Sequence, residues 1–163
     1  TGAIRLNLVQ CRPMRAPSAA EGLALPKRVP QALVLFRTSR TLSGGAVQNI
    51  QYILHIDPKA YAVDAPIAVK QQVGRIVGEI NRHPEIVKGR IMMMGPGRWG
   101  SSNILLGVNT SYADINNASV LVEIAREEAG HVPDVSFGTH FFLDLVESQI
   151  IYLPLYPDAP ESE

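Results

Sequence analysis

The strongest periodic pattern in the chain lies between Pro66 and Arg82. Apolar side chains recur there at three- and four-residue spacings, which places them on one face of a helix: Ile67, Val73, Ile76, Val77 and Ile80. Pro66 suits a first helical turn, Asp64 is a capping residue type, and Pro84 ends the segment. The pattern therefore predicts an amphipathic helix over 66–82.

Short apolar or alternating runs between turn residues predict strands. These runs are 5–12, 32–36, 50–57, 90–94, 119–123 and 150–153. A second helix is predicted near 139–148, after capping residue types at Ser136 and Thr139. Because strands and helices alternate beyond residue 30, the sequence predicts an α/β fold, a single small domain with a mixed sheet of about five strands flanked by helices.

Proline sets the predicted domain boundary. Four prolines fall within the first 30 residues, at Pro13, Pro17, Pro26 and Pro30. With the small residues between them they predict an irregular linker. The domain is therefore expected to span 31–156, with a flexible acidic tail over 157–163. The chain opens without a methionine, and we expect it to be a fragment of a longer protein.

Composition excludes several classes of function. Apolar residues make up 46% of the chain, and 15 basic residues balance 15 acidic ones. No basic cluster is longer than Lys27-Arg28, so no nucleic-acid partner is expected. The apolar runs are far shorter than the ~20 residues of a membrane span. Cys11 is the single cysteine, so neither a disulfide framework nor a thiolate metal site is expected, and a cytoplasmic location is favoured.

The segment with the most distinctive chemistry follows the predicted strand at 90–94. It reads Gly95-Pro96-Gly97-Arg98-Trp99-Gly100-Ser101-Ser102. A turning, glycine-rich backbone can point its N–H groups at one spot, and an arginine adds a planar cation, so the segment is a candidate phosphate or carboxylate cradle. The alternative is a structural turn in which Trp99 fills the core and Arg98 pairs with a carboxylate.

The same loop has the Gly-x-Gly-x-x-Gly spacing of a dinucleotide-binding fingerprint. Glu123, at the end of a later predicted strand, is placed to bind a ribose. That fingerprint requires a helix to begin inside the loop, whereas 101–117 is rich in asparagine and glycine and is a poor helix. A dinucleotide-binding enzyme domain is therefore an alternative only.

A second candidate element is the turn at 136–140. It contains Gly138, Thr139 and His140 at the start of the predicted last helix, where backbone N–H groups are available to an anion. His140 also shares a helix face with Asp144 and Glu147, which is either an acid–base or metal-binding cluster or a solvated polar face. We expect this turn and the Arg98 loop to converge as one anion pocket, with no metal.

Two stretches resemble a known family. Leu8-Val9-Gln10-Cys11-Arg12-Pro13 resembles the strand that closes the ATP-grasp domain of phosphoenolpyruvate synthases and pyruvate phosphate dikinases. The resemblance implies that Gln10 and Arg12 face nucleotide phosphates in the parent protein. It also implies that residues 1–30 are the end of an ATP-grasp-like domain plus a linker.

The second resemblance covers about residues 48–156. Its motifs are Gly95–Ser101, Leu106-Gly107-Val108 and Ser136–Phe142, which are similar to a downstream region of bacterial proteins that are phosphoenolpyruvate synthase-like. The body of the ATP-grasp domain, the phosphohistidine domain and the barrel are absent from this sequence. The resemblance thus implies an accessory C-terminal domain of an ATP-dependent phosphotransferase, inactive alone, whose parent protein uses ATP and Mg²⁺.

Together these observations predict a domain that binds a phosphate- or carboxylate-bearing small molecule and contacts the upstream domains of its parent chain. The predicted ligand-binding residues are Gly95, Gly97, Arg98, Gly100, Ser101, Thr139 and His140. Catalytic residues and the fragment's own activity are left open, and no cofactor is expected in the fragment itself. The alternatives are a structural or docking domain and a dinucleotide-binding enzyme domain.

Overall fold

Four strands and three α-helices form the part of the chain that the computed structural model describes, residues 28–38, 45–61, 65–127 and 134–159. In chain order they are β1 (Tyr52–His55), α1 (Ile67–Asn81), α2 (Pro84–Lys88), β2 (Ile91–Pro96), β3 (Ala118–Ile124), α3 (His140–Glu147) and β4 (Ile151–Leu155). Single 3₁₀ turns lie at Gln31–Leu33 and Tyr112–Asp114. The predicted helices at 66–82 and 139–148 are confirmed.

The four strands form one sheet in the order β1-β2-β3-β4, and every neighbouring pair is parallel. The α/β class is confirmed. Among the described residues the sheet has four strands, all parallel, and not the mixed set of about five that the sequence predicts. Each crossover returns the chain to the same end of the sheet, as parallel pairing requires. The carboxyl ends of all four strands therefore lie along one edge.

The missing fifth strand is the apolar run at 32–36. It forms the 3₁₀ turn Gln31–Leu33 and then an irregular segment, in which Leu33 and Leu35 are 74% and 79% exposed. Within this segment only Phe36 packs against the sheet, on the face opposite α1 and α3. A short apolar run without alternation cannot by itself be told from other buried segments, which explains the error. The predicted strand at 5–12 and the cap Asp64 lie outside the described residues.

Residue alternation along the strands builds two cores. On one face, Met93, Leu121 and Tyr152 pack against α1, α3 and the connections, and this larger core contains Trp99. On the other face, Val120 and Val122 join a smaller apolar cluster. Of the residues that alternate toward the larger core, Glu123 is the exception, because it is charged and yet fully buried.

Helix α1 approaches the β2–β3 connection closely through its glycines. A Cβ at Gly74 would lie 2.0 Å from the carbonyl oxygen of Asn109, so only glycine fits this crossing. The connection itself, residues 97–117, contains no α-helix, only the 3₁₀ turn. The loop after β2 is therefore free to fold back along the sheet edge and across to α3.

Residues 1–27 and 160–163 lie outside the described residues, so the assignment of 1–30 to a preceding domain stays a prediction, as does most of the acidic tail. The described part of the tail is anchored, since Asp158 accepts a hydrogen bond from the Glu127 N–H at 2.8 Å. No helix among the described residues has the length and apolar character to cross a membrane.

Candidate functional site

Glu123, on β3, is a buried carboxylate that binds three separate segments of the chain. It is completely buried and its carboxylate accepts four hydrogen bonds. Oε1 is 2.8 Å from the Trp99 backbone nitrogen and 2.5 Å from Ser136 Oγ. Oε2 is 2.6 Å from both the Ser136 backbone nitrogen and the Tyr152 hydroxyl. A buried carboxylate is stabilised only by such donors, and here they come from three separate segments.

This network joins the two loops that the sequence singles out. Ser136 Oγ also lies 3.0 Å from the carbonyl oxygen of Trp99, so the two turns touch each other as well as Glu123. Beside them, Gly100 packs directly on the ring of Phe141 in α3. The predicted convergence of the loops is confirmed, but they converge on Glu123 and Phe141 inside the protein.

Burial dominates the electrostatics of this network. Desolvation raises the pKa of Glu123, while the hydrogen bonds from Ser136, Tyr152 and Trp99 oppose the increase. Burial also raises the pKa of the Tyr152 hydroxyl well above its usual value, and the adjacent Glu123 carboxylate raises it further. Tyr152 therefore stays protonated and donates a hydrogen bond to Glu123. The network links three segments of the chain and has no access to solvent.

Two backbone N–H groups of the first predicted loop donate hydrogen bonds to carbonyl groups of the protein itself. Gly95 and Gly97 are buried, and the Gly97 N–H donates to the carbonyl of Ile124 at 2.9 Å. The Arg98 N–H donates to the carbonyl of Leu106 at 2.8 Å. Ser101 Oγ accepts a hydrogen bond from the Asn103 N–H at 3.1 Å. The backbone donor role predicted for Gly97 is thus filled by an internal partner.

The side chains of this loop divide between core and surface. Trp99 is completely buried, as the structural alternative predicts, and its indole Nε1 has no hydrogen-bond partner among the described residues. Arg98 is half-buried, and it makes no side-chain hydrogen bond or ion pair with the described part of the chain. The carboxylate partner proposed for Arg98 in that alternative is therefore not found there.

The second predicted turn begins α3. Thr139 is the N-cap, and its Oγ1 accepts from the Phe142 N–H at 3.2 Å and donates to the Ser136 carbonyl at 2.6 Å. His140 is the first helical residue and is exposed. Neither residue, nor Arg98, lines either of the two cavities that the described residues form at the carboxyl edge of the sheet. Gln10 and Arg12 lie outside the described residues, so their implied nucleotide contacts stay predictions.

The geometry after β2 does not match a dinucleotide site. No α-helix begins in residues 97–117, so the loop has no helix N-terminus to face a pyrophosphate. Glu123, the carboxylate needed for a ribose, is buried and has all its acceptor positions engaged. The Gly-x-Gly-x-x-Gly spacing here serves loop packing.

A cavity opens instead at the carboxyl edge of the sheet, and we call it the edge pocket. Its volume is about 60 Å³. It is lined by Pro58, Tyr61, Lys70, Pro96, Gly97, Leu105, Leu106, Gly107, Ile124 and Arg126. Two cations and no carboxylate are among these residues. The crevice outside the carboxyl ends of parallel strands is where α/β proteins commonly bind ligands.

Lys70 is the buried cation of the edge pocket. It lies on the inward face of α1 with only 1% of its surface exposed, and its Nζ is 5.2 Å from the centre of the Tyr61 ring. The Tyr61 hydroxyl donates to the Gly107 carbonyl at 3.2 Å, and burial raises the pKa of this hydroxyl. Tyr61 thereby links the loop that follows β1 to the loop that follows β2, and the Lys70 ammonium group lies over its ring.

Arg126, two residues beyond β3, is the exposed cation of this edge. Its guanidinium makes no hydrogen bond or ion pair with the described residues. It also lines a second cavity of about 310 Å³, which we call the outer pocket, with His55, Asp57, Pro58, Lys59, Ile124, Leu155 and Pro157. The two pockets share Pro58, Ile124 and Arg126 as a common wall.

The described residues contain no group of three or more histidine, cysteine, aspartate or glutamate side chains arranged to hold a metal ion. The charged side chains of the described edge-pocket lining are Lys70 and Arg126, and the turn after β1 adds Asp57 and Lys59 beside Arg126 in the outer pocket.

Sequence reasoning missed Lys70 and Arg126, although both left a signal. Lys70 precedes Gly74 and Val77 at helical spacing, so a charged residue lies on the buried face of α1. Arg126 follows the end of a strand whose neighbours are parallel, and polar residues in that position meet at one edge. The unusual composition of the glycine-rich loop reflects packing, because Trp99 is buried in the core and Gly100 lies against the Phe141 ring.

No protein-family model, curated protein or solved structure is significantly similar to this chain.

Proposed function

We propose that this domain binds a phosphate- or carboxylate-bearing small molecule at the carboxyl edge of its sheet. The observation that carries the proposal is the composition of the edge pocket, whose described lining contains the buried Lys70 and Arg126 and no carboxylate. The Arg126 guanidinium has no partner among the described residues. Two cations at a low-dielectric wall favour an anion more strongly than the same charges on an open surface. Arginine also matches the planar fork of a carboxylate or phosphate.

The proposal keeps the class of ligand that the sequence predicts and changes its place. Gly97 remains a lining residue, but as part of the pocket wall. In this proposal Arg126, and not Arg98, is the arginine that binds the anion. Lys70 takes the binding role that the sequence predicts for Thr139 and His140. What supports the change is that the edge pocket is lined by Lys70 and Arg126 and not by Arg98 or His140.

The domain would act as the accessory C-terminal part of a phosphoenolpyruvate synthase- or dikinase-like phosphotransferase. The support is the resemblance of the motifs at 8–13, 95–101 and 136–142. ATP and Mg²⁺ would be bound by upstream domains of the parent protein, with Gln10 and Arg12 on the nucleotide side. This domain would hold an anionic substrate or effector and would not transfer the phosphoryl group itself.

A structural or docking role is the second candidate, and the Glu123 network favours it. All the most distinctive motifs, around Trp99, Ser136 and Phe141, are used to fasten loops. In this alternative the edge cations would bind no ligand, and the domain would only support its neighbours in the parent chain.

Replacement of Arg126 separates the two functions. We expect inorganic phosphate to bind the chain in a low-salt chloride buffer, because exposed charge interactions are screened at high salt. Arg126→Met should weaken that binding about tenfold, since a hydrogen bond to a charged group is worth about 1.5–3 kcal/mol. Isothermal titration calorimetry measures both affinities, and the melting temperature checks that the variant is folded.

Arg98→Met is the matched control, because Arg98 is also a partly exposed arginine with no partner among the described residues. The Arg98→Met variant should bind phosphate as tightly as the unsubstituted chain does. If phosphate fails to bind the folded, unsubstituted chain, the structural alternative is correct. If the loss follows Arg98 and not Arg126, the loop after β2 is the site and our placement is wrong.

A further inference from the structure

The edge pocket and the outer pocket differ in what they offer a ligand. The edge pocket, of about 60 Å³, is the smaller of the two and suits a single compact anionic group. The outer pocket is about 310 Å³. Because they share Arg126 and Pro58, one ligand can place its anion in the first and a larger remainder in the second.

The outer pocket offers both donors and acceptors. Asp57 supplies a carboxylate, while His55 and Lys59 supply ring nitrogens and an ammonium group. All three are exposed. The apolar part of the wall comes from Ile124, Leu155 and Pro157. Such a mixture suits a hydroxylated carbon skeleton, whose hydroxyls donate to a carboxylate and accept from a cation while its carbons pack on apolar groups.

One turn places residues in both pockets. Asp57 Oδ1 accepts a hydrogen bond from the Lys59 N–H at 2.9 Å, and its carbonyl accepts from the Tyr61 N–H at 3.0 Å. Asp57 and Lys59 line the outer pocket, and Tyr61 lines the edge pocket. The turn therefore fixes the relative position of the two sets of groups, as a site for a single two-part ligand requires.

We infer that the ligand is a phosphorylated polyhydroxy compound of the sugar phosphate class. This inference rests on the proposed function, because the phosphate occupies the edge pocket between Lys70 and Arg126. The hydroxylated part lies in the outer pocket, with hydroxyls on Asp57 and its carbon skeleton against Leu155. Arg126, at the shared wall, contacts the phosphate and the nearest hydroxyl.

Calorimetric titrations with inorganic phosphate, ribose 5-phosphate and ribose test the inference on the 163-residue chain. Ribose 5-phosphate should bind at least tenfold more tightly than phosphate, since each hydrogen bond to a charged group adds about that factor. Asp57→Asn keeps an Oδ1 acceptor for the Lys59 N–H but loses the charge. It should weaken ribose 5-phosphate binding about tenfold and leave phosphate binding unchanged.

Glu79→Gln, an exposed charge removal that lines neither pocket, is the control and should change neither affinity. Equal affinities for phosphate and ribose 5-phosphate, with both lost in Arg126→Met, would overturn this inference and leave the proposed function intact. Failure of both ligands to bind the folded chain would overturn both. Tighter binding of ribose 5-phosphate that is unaffected by Asp57→Asn would show that the outer pocket is not used.

Discussion

Glu123→Gln should lower the free energy of unfolding by about 1–3 kcal/mol, because it leaves a buried backbone N–H without an acceptor. The Trp99 and Ser136 N–H groups donate to different oxygens of the carboxylate. A glutamine has one oxygen, so its amide NH₂ group must face one of these two donors whichever way it is turned. The loss follows for either protonation state of Glu123, since a protonated carboxyl oxygen still accepts and an amide nitrogen does not.

Chemical denaturation followed by tryptophan fluorescence measures this loss, and Trp99, the single tryptophan, lies in the network itself. Tyr152→Phe is the first control: it removes one hydroxyl and leaves both backbone donors paired, so it should cost less, about 0.5–1.5 kcal/mol. Glu79→Gln on the surface should change stability by less than about 0.5 kcal/mol. If the Glu123→Gln variant is as stable as the Glu79→Gln control, the hydrogen bonds to Glu123 do not stabilise the fold.

Gly100→Ala should destabilise the fold by about 2–5 kcal/mol, the sum of backbone strain and overpacking. Gly100 has a φ of +66°, a conformation that costs an L residue about 1–2 kcal/mol. A Cβ there would also lie 2.3 Å from Cδ2 of the Phe141 ring, inside the larger core. Overpacking of this kind typically adds about 1–3 kcal/mol.

Gly138→Ala provides a matched control within the same pair of loops. Gly138 has a similar φ of +78°, but a Cβ there would meet nothing within 4 Å. Its replacement should therefore cost only the strain. The difference between the two variants, measured by thermal or chemical denaturation, isolates the clash with Phe141. Equal losses in the two variants would show that Gly100 and Phe141 are not packed as described.

The parts of the fold that the sequence predicts well are those where periodicity is long. Helix α1 shows five apolar residues at helical spacing, and the structure confirms the helix at Ile67–Asn81. Strands β2 and β3 are near-continuous apolar runs of the kind typical of parallel sheets. The segment at 32–36 has an equally apolar composition, but only Phe36 of its large residues reaches the sheet.

The proposed site was harder to predict because its residues come from four segments distant in sequence. Tyr61 follows β1, Lys70 lies in α1, Gly97 follows β2, and Arg126 follows β3. Of these four, only Gly97 stands in a local motif, and the proximity of all four depends on the sheet order. The motifs with unusual composition mark places where packing leaves little choice: a buried indole, a glycine against an aromatic ring, and two turns on one carboxylate.

The location of a bound oxyanion tests the central claim most directly. Crystals of the chain grown or soaked with tungstate, a heavy-atom analogue of phosphate, would reveal the anion by its anomalous signal. We predict a peak in the edge pocket within hydrogen-bonding distance of the Arg126 guanidinium and the Lys70 ammonium group. A peak between Arg98 and His140, with none at the edge pocket, would contradict the account and return the site to the two loops.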